Sequence, residues 1–345
     1  MTIRFATQDE IADWNRFILT NPDGGNVFQA KEFSEVKKAN HWTPRFIVVN
    51  NLYISVLERK ISLIGSFWYV PKGPGITTVK ELETLILELK KFAKDHGVFV
   101  VKLEPELVKT EVITNNLKKL GLSLSKGVQA ANTVILDISP SIDDIVANFS
   151  PKTRYNIRAA KKAGVTTVVV PITNETCDLF YNMFAETIRG RSHLRSREYL
   201  KMYWQLHYNA GTGVFLFAKI NGDIVSTDFI TILGNKATRK DAASVRKRVV
   251  RGASALLEVN AIEYLKDRGV IEYDLFGTPP SDQIKNQAHP YYGFGTFKAG
   301  FNSHITDYIG SCDLIIKPRA YRFWKKIGER IIHKLYYYQH HDLYY

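Results

Sequence analysis

The chain has 345 residues, 45% hydrophobic and 23% charged, the proportions of an ordinary folded protein long enough for two domains rather than one. Lysine and arginine number 47 against 34 acids, giving a net charge of +13 and an isoelectric point near 9.5, which points to a phosphate-rich partner: nucleic acid, an anionic membrane face or a phosphorylated ligand. Two cysteines, Cys177 and Cys312, exclude a disulfide framework, show no metal-ligand spacing and fit a reducing cytoplasm.

The first residues, "MTIRFATQDEIADWNRF", scatter acids through the segment and form no secretory signal. No later apolar run is long enough to span a bilayer, so a soluble or peripheral cytoplasmic protein is expected. "PRFIVVNNLYISVLERK" and "ISLIGSFWYVPKG" read as antiparallel strands. In "VKELETLILELKKFAKDHGVFVVKLEP", Leu82, Leu85, Ile86, Leu89, Phe92 and Ala93 recur at helical spacing. Gly97 stands where a C-cap belongs, and "VFVVKLEP" follows as a strand. After the strand "NTVILDI", Ser139, Pro140 and Ser141 break the pattern, and Asp143 and Asp144 open a new helix. A hinge is expected there.

"SPKTRYNIRAAKKAG" reads as a helix begun by Ser150 and Pro151, with Ile157 and Ala160 turned inward. Lys152 precedes a stripe in which Arg154, Arg158, Lys161 and Lys162 fall at spacings of three and four, and no acid occurs from Phe149 to Thr173. Such a stripe suits a nucleic-acid phosphate backbone, giving salt-sensitive affinity without base reading, and Tyr155 is placed to stack. The bland reading is a solvated helix face, but the missing acids make it self-repelling unless something neutralises it. "KATRKDAASVRKRVVRG" extends the same positive footprint.

"GVFLFAKINGDIVSTDFITILGNKATRKDA" carries strands joined at "NG" and "GN", and "GASALLEVNAIEYLKDRGVIEYDLFG" repeats the earlier plan of helix, glycine stop at Gly269 and strand. The chain therefore uses one α/β grammar twice. The tail, "KPRAYRFWKKIGERIIHKLYYYQHHDLYY", reads as a basic aromatic helix. Its row Phe323, Ile327, Ile331 and Leu335 suits packing onto the body ahead of lying on an anionic membrane.

Several phrases in order across nearly the whole chain resemble the Fem family of peptidoglycan bridge-forming aminoacyltransferases. They are "VFQAKEFSEVKKANHW", "WYVPKGPGI", "VKLEPEL", "NTVILDIS", "FSPKTRYNIRAAKKAGV", "ETIRGRSHLRSREYL", "GASALLEVNAIEYLKDRGVIEYDLFG" and "GFGTFKAGF". "KTRYNIRAAKKAGV" followed much later by "FKAGF" is the most specific combination. The resemblance implies an α/β fold of two tandem GNAT-like domains with mixed sheets flanked by helices. The first would take residues 1–148 with the returning tail 310–345, and the second residues 149–309. Because "RSREYLKMYWQLHYNAGTGVFLFAKI" passes directly from helix to strand, the chain is similar to compact members that lack a helical arm.

Forming an amide from an aminoacyl ester needs a neutral acceptor amine, anion-binding groups and positive charge where the tetrahedral oxyanion develops, with no nucleophilic triad. The chain shows neither a G-x-S-x-G elbow nor a Cys and His pairing. Lys298 lies among Gly293, Gly295 and Gly300, which would let backbone approach a ligand, and Phe297 supplies an apolar wall. The resemblance makes Lys298 the oxyanion stabiliser; a solvated strand-end lysine is its competitor. The resemblance also assigns Lys37 and Arg195 to acceptor phosphates, with Tyr199 one turn from Arg195 on the same helix face. Lys38 rivals Lys37, and Arg191 and Arg197 rival Arg195. Glu104, at a strand end before Pro105, is placed to orient or deprotonate an incoming ammonium, or else to pair with Lys102. Asp274, on the corresponding second strand, reads as structural.

The expected activity is transfer of an amino acid from aminoacyl-tRNA to a stem-peptide amine on a UDP-muropeptide or lipid II, by a monomer, with no metal or dissociable cofactor. Three alternatives stand beside it. "RKRVVRGASALLEVNAIEYLKDRG" imitates the pyrophosphate-binding turn of acetyl-CoA-dependent GNAT enzymes. A tRNA-dependent transferase acting on protein N-termini and an inactive RNA- or membrane-binding protein are the others. The Fem pattern places a tyrosine three residues before Gly252, where this chain has Val249, which puts one acceptor contact in doubt.

Overall fold

The computed structural model describes residues 2–189, 194–245 and 250–345. Val249 and Arg191 lie outside the described residues, as does part of the second basic stretch. The chain divides into two compact units, Met1–Ala131 with Asp307–Tyr345, and Asn132–Thr306.

In the first unit, Asn50 at φ 52 turns the chain between Thr43–Val49 and Leu52–Ile61, which pair antiparallel with Val49 opposite Leu52. The seven-stranded sheet runs Ile3–Phe5, Thr43–Val49, Leu52–Ile61, Gly65–Val70, Val98–Leu103, Ser311–Ile315, Leu122–Ser125. Among the described residues its one parallel step joins Gly65–Val70 to Val98–Leu103, and helix Val79–Asp95 makes the crossover that a parallel pair requires. That helix starts at a capping box formed by Thr78 and Glu81 and is followed by Gly97 at φ 73. Leu82, Leu85, Ile86, Leu89 and Ala93 bury its apolar stripe against Trp68, Val98 and Val101.

The second unit repeats the device. Its sheet runs Ile135–Asp137, Glu272–Asp274, Lys236–Ser244, Asp223–Leu233, Gly213–Ile220, Thr166–Val170. Again one step among the described residues is parallel, between Lys236–Ser244 and Glu272–Asp274, crossed by helix Ala253–Lys266. Asn221 and Gly222, at φ 51 and 89, make the "NG" hairpin turn.

The break at Ser139–Ser141 is present but is not the divide. Ile135–Asp137 pairs with Glu272–Asp274, and Ile145 of helix Ile142–Ala147 is buried in the second core, so contacts place the boundary at Ala131 rather than near residue 148. Hydrogen bonding to a sheet outweighs the local turn signal.

The tail corrects one expectation. Strand Ser311–Ile315 lies between Val98–Leu103 and Leu122–Ser125, and a helical run over 318–340 follows, with a π-turn at Trp324–Gly328. Phe323, Ile327, Ile331 and Leu335 do not pack; they are 53%, 44%, 48% and 51% exposed. The packed row is one residue further on: Trp324 lies 5.6 Å from Phe67 and 5.8 Å from Phe99, and the hydroxyl of buried Tyr336 bonds to Asn40. Aromatic area outcompeted the aliphatic row. Trp324→Ala should therefore lower the free energy of unfolding by about 3–5 kcal/mol. Ile327→Ser should change it by no more than about 0.5 kcal/mol in the same denaturant titration.

Candidate active site

Lys298 is not on a strand. It ends helix Tyr292–Lys298 and is buried, because Phe297 and Phe301 anchor the segment, 5.1 Å apart, with Phe301 5.0 Å from Phe149. The solvated-lysine reading is thereby overturned. Phe276 and Gly277, at φ 50 and 70, present successive carbonyls to Lys298. Its Nζ donates to both, at 2.7 Å from Gly277 O. Asp274 holds this turn, accepting from Phe276 N at 2.7 Å and from the Thr133 hydroxyl. An ammonium has three N–H bonds, so two held by carbonyls leave a third with a defined direction. A neutral amine held the same way leaves its lone pair there instead.

Around the amine is a buried charge cluster. Arg239 Nε and Nη2 donate to Asp228 Oδ1 at 3.0 and 2.6 Å. Arg239 Nε also lies 2.5 Å from Glu258 Oε1 without hydrogen-bond geometry, while Tyr273 OH donates to Glu258 Oε2 at 3.0 Å. Burial pushes the Asp228 and Glu258 carboxyls up, opposed by Arg239. Burial, then repulsion from Arg239, lowers Lys298 to about 7, with Asp274, Glu258 and Asp228 pulling the other way. Sequence reasoning missed Asp228, Arg239 and Glu258. A signal existed: Glu258 interrupts the apolar "ASALLEV", Asp228 interrupts "IVSTDFITIL", and Arg239 occupies an inward position of the strictly alternating strand Lys236–Ser244.

A cavity of about 920 Å³ opens at the start of helix Ala253–Lys266. Lys152, Tyr155, Asn156, Arg189, Arg251, Ser254 and Phe297 are among its lining residues. The first N–H groups of that helix lack intrahelical acceptors and carry the positive end of the helix dipole, which suits an anion. Gly252 caps it at φ 85, and a Cβ there would meet Asn156 O at 2.0 Å, so a side chain is excluded by contact as well as by conformation. Phe297 lines this cavity and Lys298 does not. Two of the neighbouring glycines serve the fold: a Cβ on Gly295 would meet Pro279 at 2.4 Å, and one on Gly300 would meet Thr153 Oγ1 at 2.4 Å, whereas one on Gly293 would meet nothing within 4 Å.

The cationic helix spans Pro151–Lys162, with Ser150 accepting from Thr153 N, and Ile157 and Ala160 buried. Its cations divide by role. Lys152 lines the cavity; Arg158, Lys161 and Lys162 are exposed, the last two in the final turn where they also favour the helix dipole. Arg154 instead donates to Ala147 O and Phe149 O, closing the end of helix Ile142–Ala147. Arg195 precedes N-cap Ser196 rather than sharing the helix of Tyr199, yet its guanidinium stacks 4.6 Å over the Tyr199 ring. Arg197 is engaged by Asp178 and Asn182, both at 2.8 Å.

In the first unit, Lys37 on helix Lys31–Ala39 is buried with Nζ 5.2 Å from the Phe33 ring centroid, whereas Lys38 is exposed and pairs with Glu35. Glu104 pairs with neither Lys102 nor solvent. Its Oε1 accepts from Val128 N and Gln129 N at 2.6 and 3.1 Å, and its Oε2 from Tyr69 OH at 2.6 Å. Three protein donors make it a clamp on the 128–129 loop, with both carboxylate oxygens already engaged.

The family model matches residues 10–248 and 251–328. The chain belongs to the FemAB family. Lipid II:glycine glycyltransferase from Staphylococcus epidermidis is 24% identical over 395 aligned positions, covering 91% of this chain and 94% of that protein. Because 395 positions exceed the 345 residues here, that relative carries segments this FemAB chain lacks. FemX has a solved structure that superposes with a TM-score of 0.80 at 18% identity over 94% of this chain and 100% of that one. A tandem GNAT protein from the clavulanic acid biosynthesis pathway gives 0.50 at 12% identity over 91% and 99%. These likenesses establish the α/β, tandem GNAT-like fold.

Lys298 should be visible in stability against pH. Between about 7 and its ordinary 10.5 the unfolded chain binds one proton more than the folded chain, so stability from this group rises with pH across that window. Its burial penalty is fully present below the window. The raised Asp228 and Glu258 act with the opposite sign, Glu258 from 4.5 up to about 8, so the paired comparison isolates Lys298 where the two windows overlap. From pH 7 to 9 wild type should gain on Lys298→Met, at most by about 1.4 kcal/mol per pH unit, in paired denaturant titrations.

Proposed function

We propose that the protein is an aminoacyltransferase that moves an amino acid from aminoacyl-tRNA to the side-chain amine of a peptidoglycan precursor stem peptide, carried on UDP or as lipid II. Family membership and the lipid II:glycine glycyltransferase activity named for its staphylococcal relative support this reading. The single observation that carries it is the buried Lys298 amine, held by two backbone carbonyls and following in sequence Phe297, a wall of the cation-lined cavity.

In the reaction the neutral acceptor amine attacks the ester carbonyl. The carbonyl oxygen gains negative charge, and the third N–H of protonated Lys298 donates to it. Collapse breaks the ester bond, the terminal ribose oxygen of the tRNA leaves with a proton, and an amide forms. Lys152, with the exposed cations Arg158, Lys161 and Lys162, is assigned the tRNA acceptor stem through its phosphates. Arg154 belongs to the fold. Arg195 with Tyr199 is assigned acceptor phosphate, and Lys37 the same chemistry.

The test is incubation with a mixture of charged tRNAs and either UDP-linked muropeptide or lipid II, followed by mass measurement of the acceptor. The expected result is a gain of one aminoacyl residue, with Lys298→Met slowing transfer by about 10²–10³-fold while retaining its melting transition. If Lys298 acts as the charged donor, kcat/KM should rise with the neutral fraction of the acceptor amine only up to about pH 7, the value to which burial lowers Lys298, and level off above it, whereas Lys298→Arg should go on rising. No mass gain with any charged tRNA, or undiminished turnover by Lys298→Met, would refute the proposal. The cavity at Gly252 favours one competitor, an acetyl-CoA enzyme, for which acetyl-CoA rather than aminoacyl-tRNA would raise the melting temperature.

A further inference from the structure

The helical run over 318–340 in the first unit presents two parallel rows to solvent. Phe323, Ile327, Ile331 and Leu335 form one, each at least 44% exposed, and Tyr338, 73% exposed, follows at its end. Arg322, Lys326, Arg330 and Lys334, each one residue earlier, form the other, and all four are exposed. Residues four apart in an ordinary α-helix drift by about 40° per step. The π-turn Trp324–Gly328 rotates less per residue and draws the rows back into line. The inward row is already occupied by Trp324, Gly328 and Tyr336 packed on the unit's body, so the aliphatic row has no intramolecular task. None of the four outer cations forms an ion pair among the described residues; the neighbouring pair is Lys325 with Glu329.

We propose that this helix is an interfacial anchor, lying in the plane of an anionic lipid surface with the aliphatic row in the acyl boundary and the basic row among the headgroups. The charge complementarity selects the occupant. A second copy of the chain would bring two basic rows together, and nucleic acid offers no medium for Ile and Leu side chains, whereas an anionic bilayer satisfies both rows. No helix among the described residues is long and apolar enough to cross a membrane, so the contact is peripheral. The inference concerns lipid contact alone and does not rest on the transfer chemistry proposed above.

The experiment is co-sedimentation of the full chain with vesicles of phosphatidylcholine, pure or with about a third phosphatidylglycerol. Wild type should sediment with the anionic vesicles, release with added salt, and bind neutral ones at least about tenfold more weakly. Ile327→Ser with Ile331→Ser should reduce partitioning onto anionic vesicles by about tenfold or more, and Arg330→Gln with Lys334→Gln should remove most of the preference for anionic lipid. All four positions are exposed, and an unchanged melting temperature confirms the fold of each variant. Transfer to a soluble acceptor should be unaffected by either pair, which separates a failure here from a failure of the proposed reaction. Wild type that ignores anionic vesicles at low salt would overturn the proposal, as would an apolar variant that sediments like wild type. Variants that lose self-association or tRNA retention while keeping vesicle binding would overturn it too.

Discussion

Burying Asp228, Arg239 and Glu258 together constrains the second unit more than any single apolar contact. Each would be costly alone, because an unpaired charge out of water costs several kcal/mol, and the three come from different elements: strand Asp223–Leu233, strand Lys236–Ser244 and helix Ala253–Lys266. Their pairing therefore fixes the register of the crossover helix on its sheet. Lys298 enters the same neighbourhood from a fourth element, where burial and then Arg239 oppose its charge while Asp274, Glu258 and Asp228 favour it. Desolvation raises the acids and lowers the amine, so the cluster limits the net charge it buries. That leaves an amine near neutrality with two of its valences already directed.

The same crossover helix makes the anion-binding end of the cavity. Gly252 can cap it only because no side chain intervenes between its backbone and Asn156, which belongs to the cationic helix Pro151–Lys162. Lys152 and the start of the crossover helix thus line one cavity, and point charge and dipole act on one volume. Arg154 fastens the preceding helix at the other side of Ser150. One short segment therefore supplies both a fold contact and a ligand surface, which composition alone does not separate.

Much of this was legible in the sequence. Helix, glycine stop and strand at Leu82–Val98 and Leu256–Val270 betrayed the duplicated crossover, because apolar spacing and αL glycines are local signals. The tandem GNAT-like fold and the family followed from the resemblance. The partners of a buried group were not legible: "VKLEP" shows that Glu104 ends a strand, but not that Val128, Gln129 and Tyr69 hold it, since those contacts span the sheet and a distant loop. Likewise "GFGTFKAGF" was read as backbone approaching a ligand, whereas Gly295 and Gly300 closely approach Pro279 and Thr153 of the fold itself.

The tail shows how long-range pairing decides what a local pattern leaves open. Lys102 and Asp313, 3.0 Å apart with side chains only 3% exposed, lie on adjacent strands, and removing either would strand a buried charge. Tyr321 donates to the other oxygen of Asp313 at 2.8 Å, so the start of the tail helix is tied to that pair. With Tyr321 held there and Trp324 seated against Phe67 and Phe99, the rotation of the helix about its axis is no longer free. The aliphatic row faces outward because the aromatic and ionic anchors are satisfied inward. Its exposure is a consequence of the best-packed part of the unit, not of a loosely held terminus.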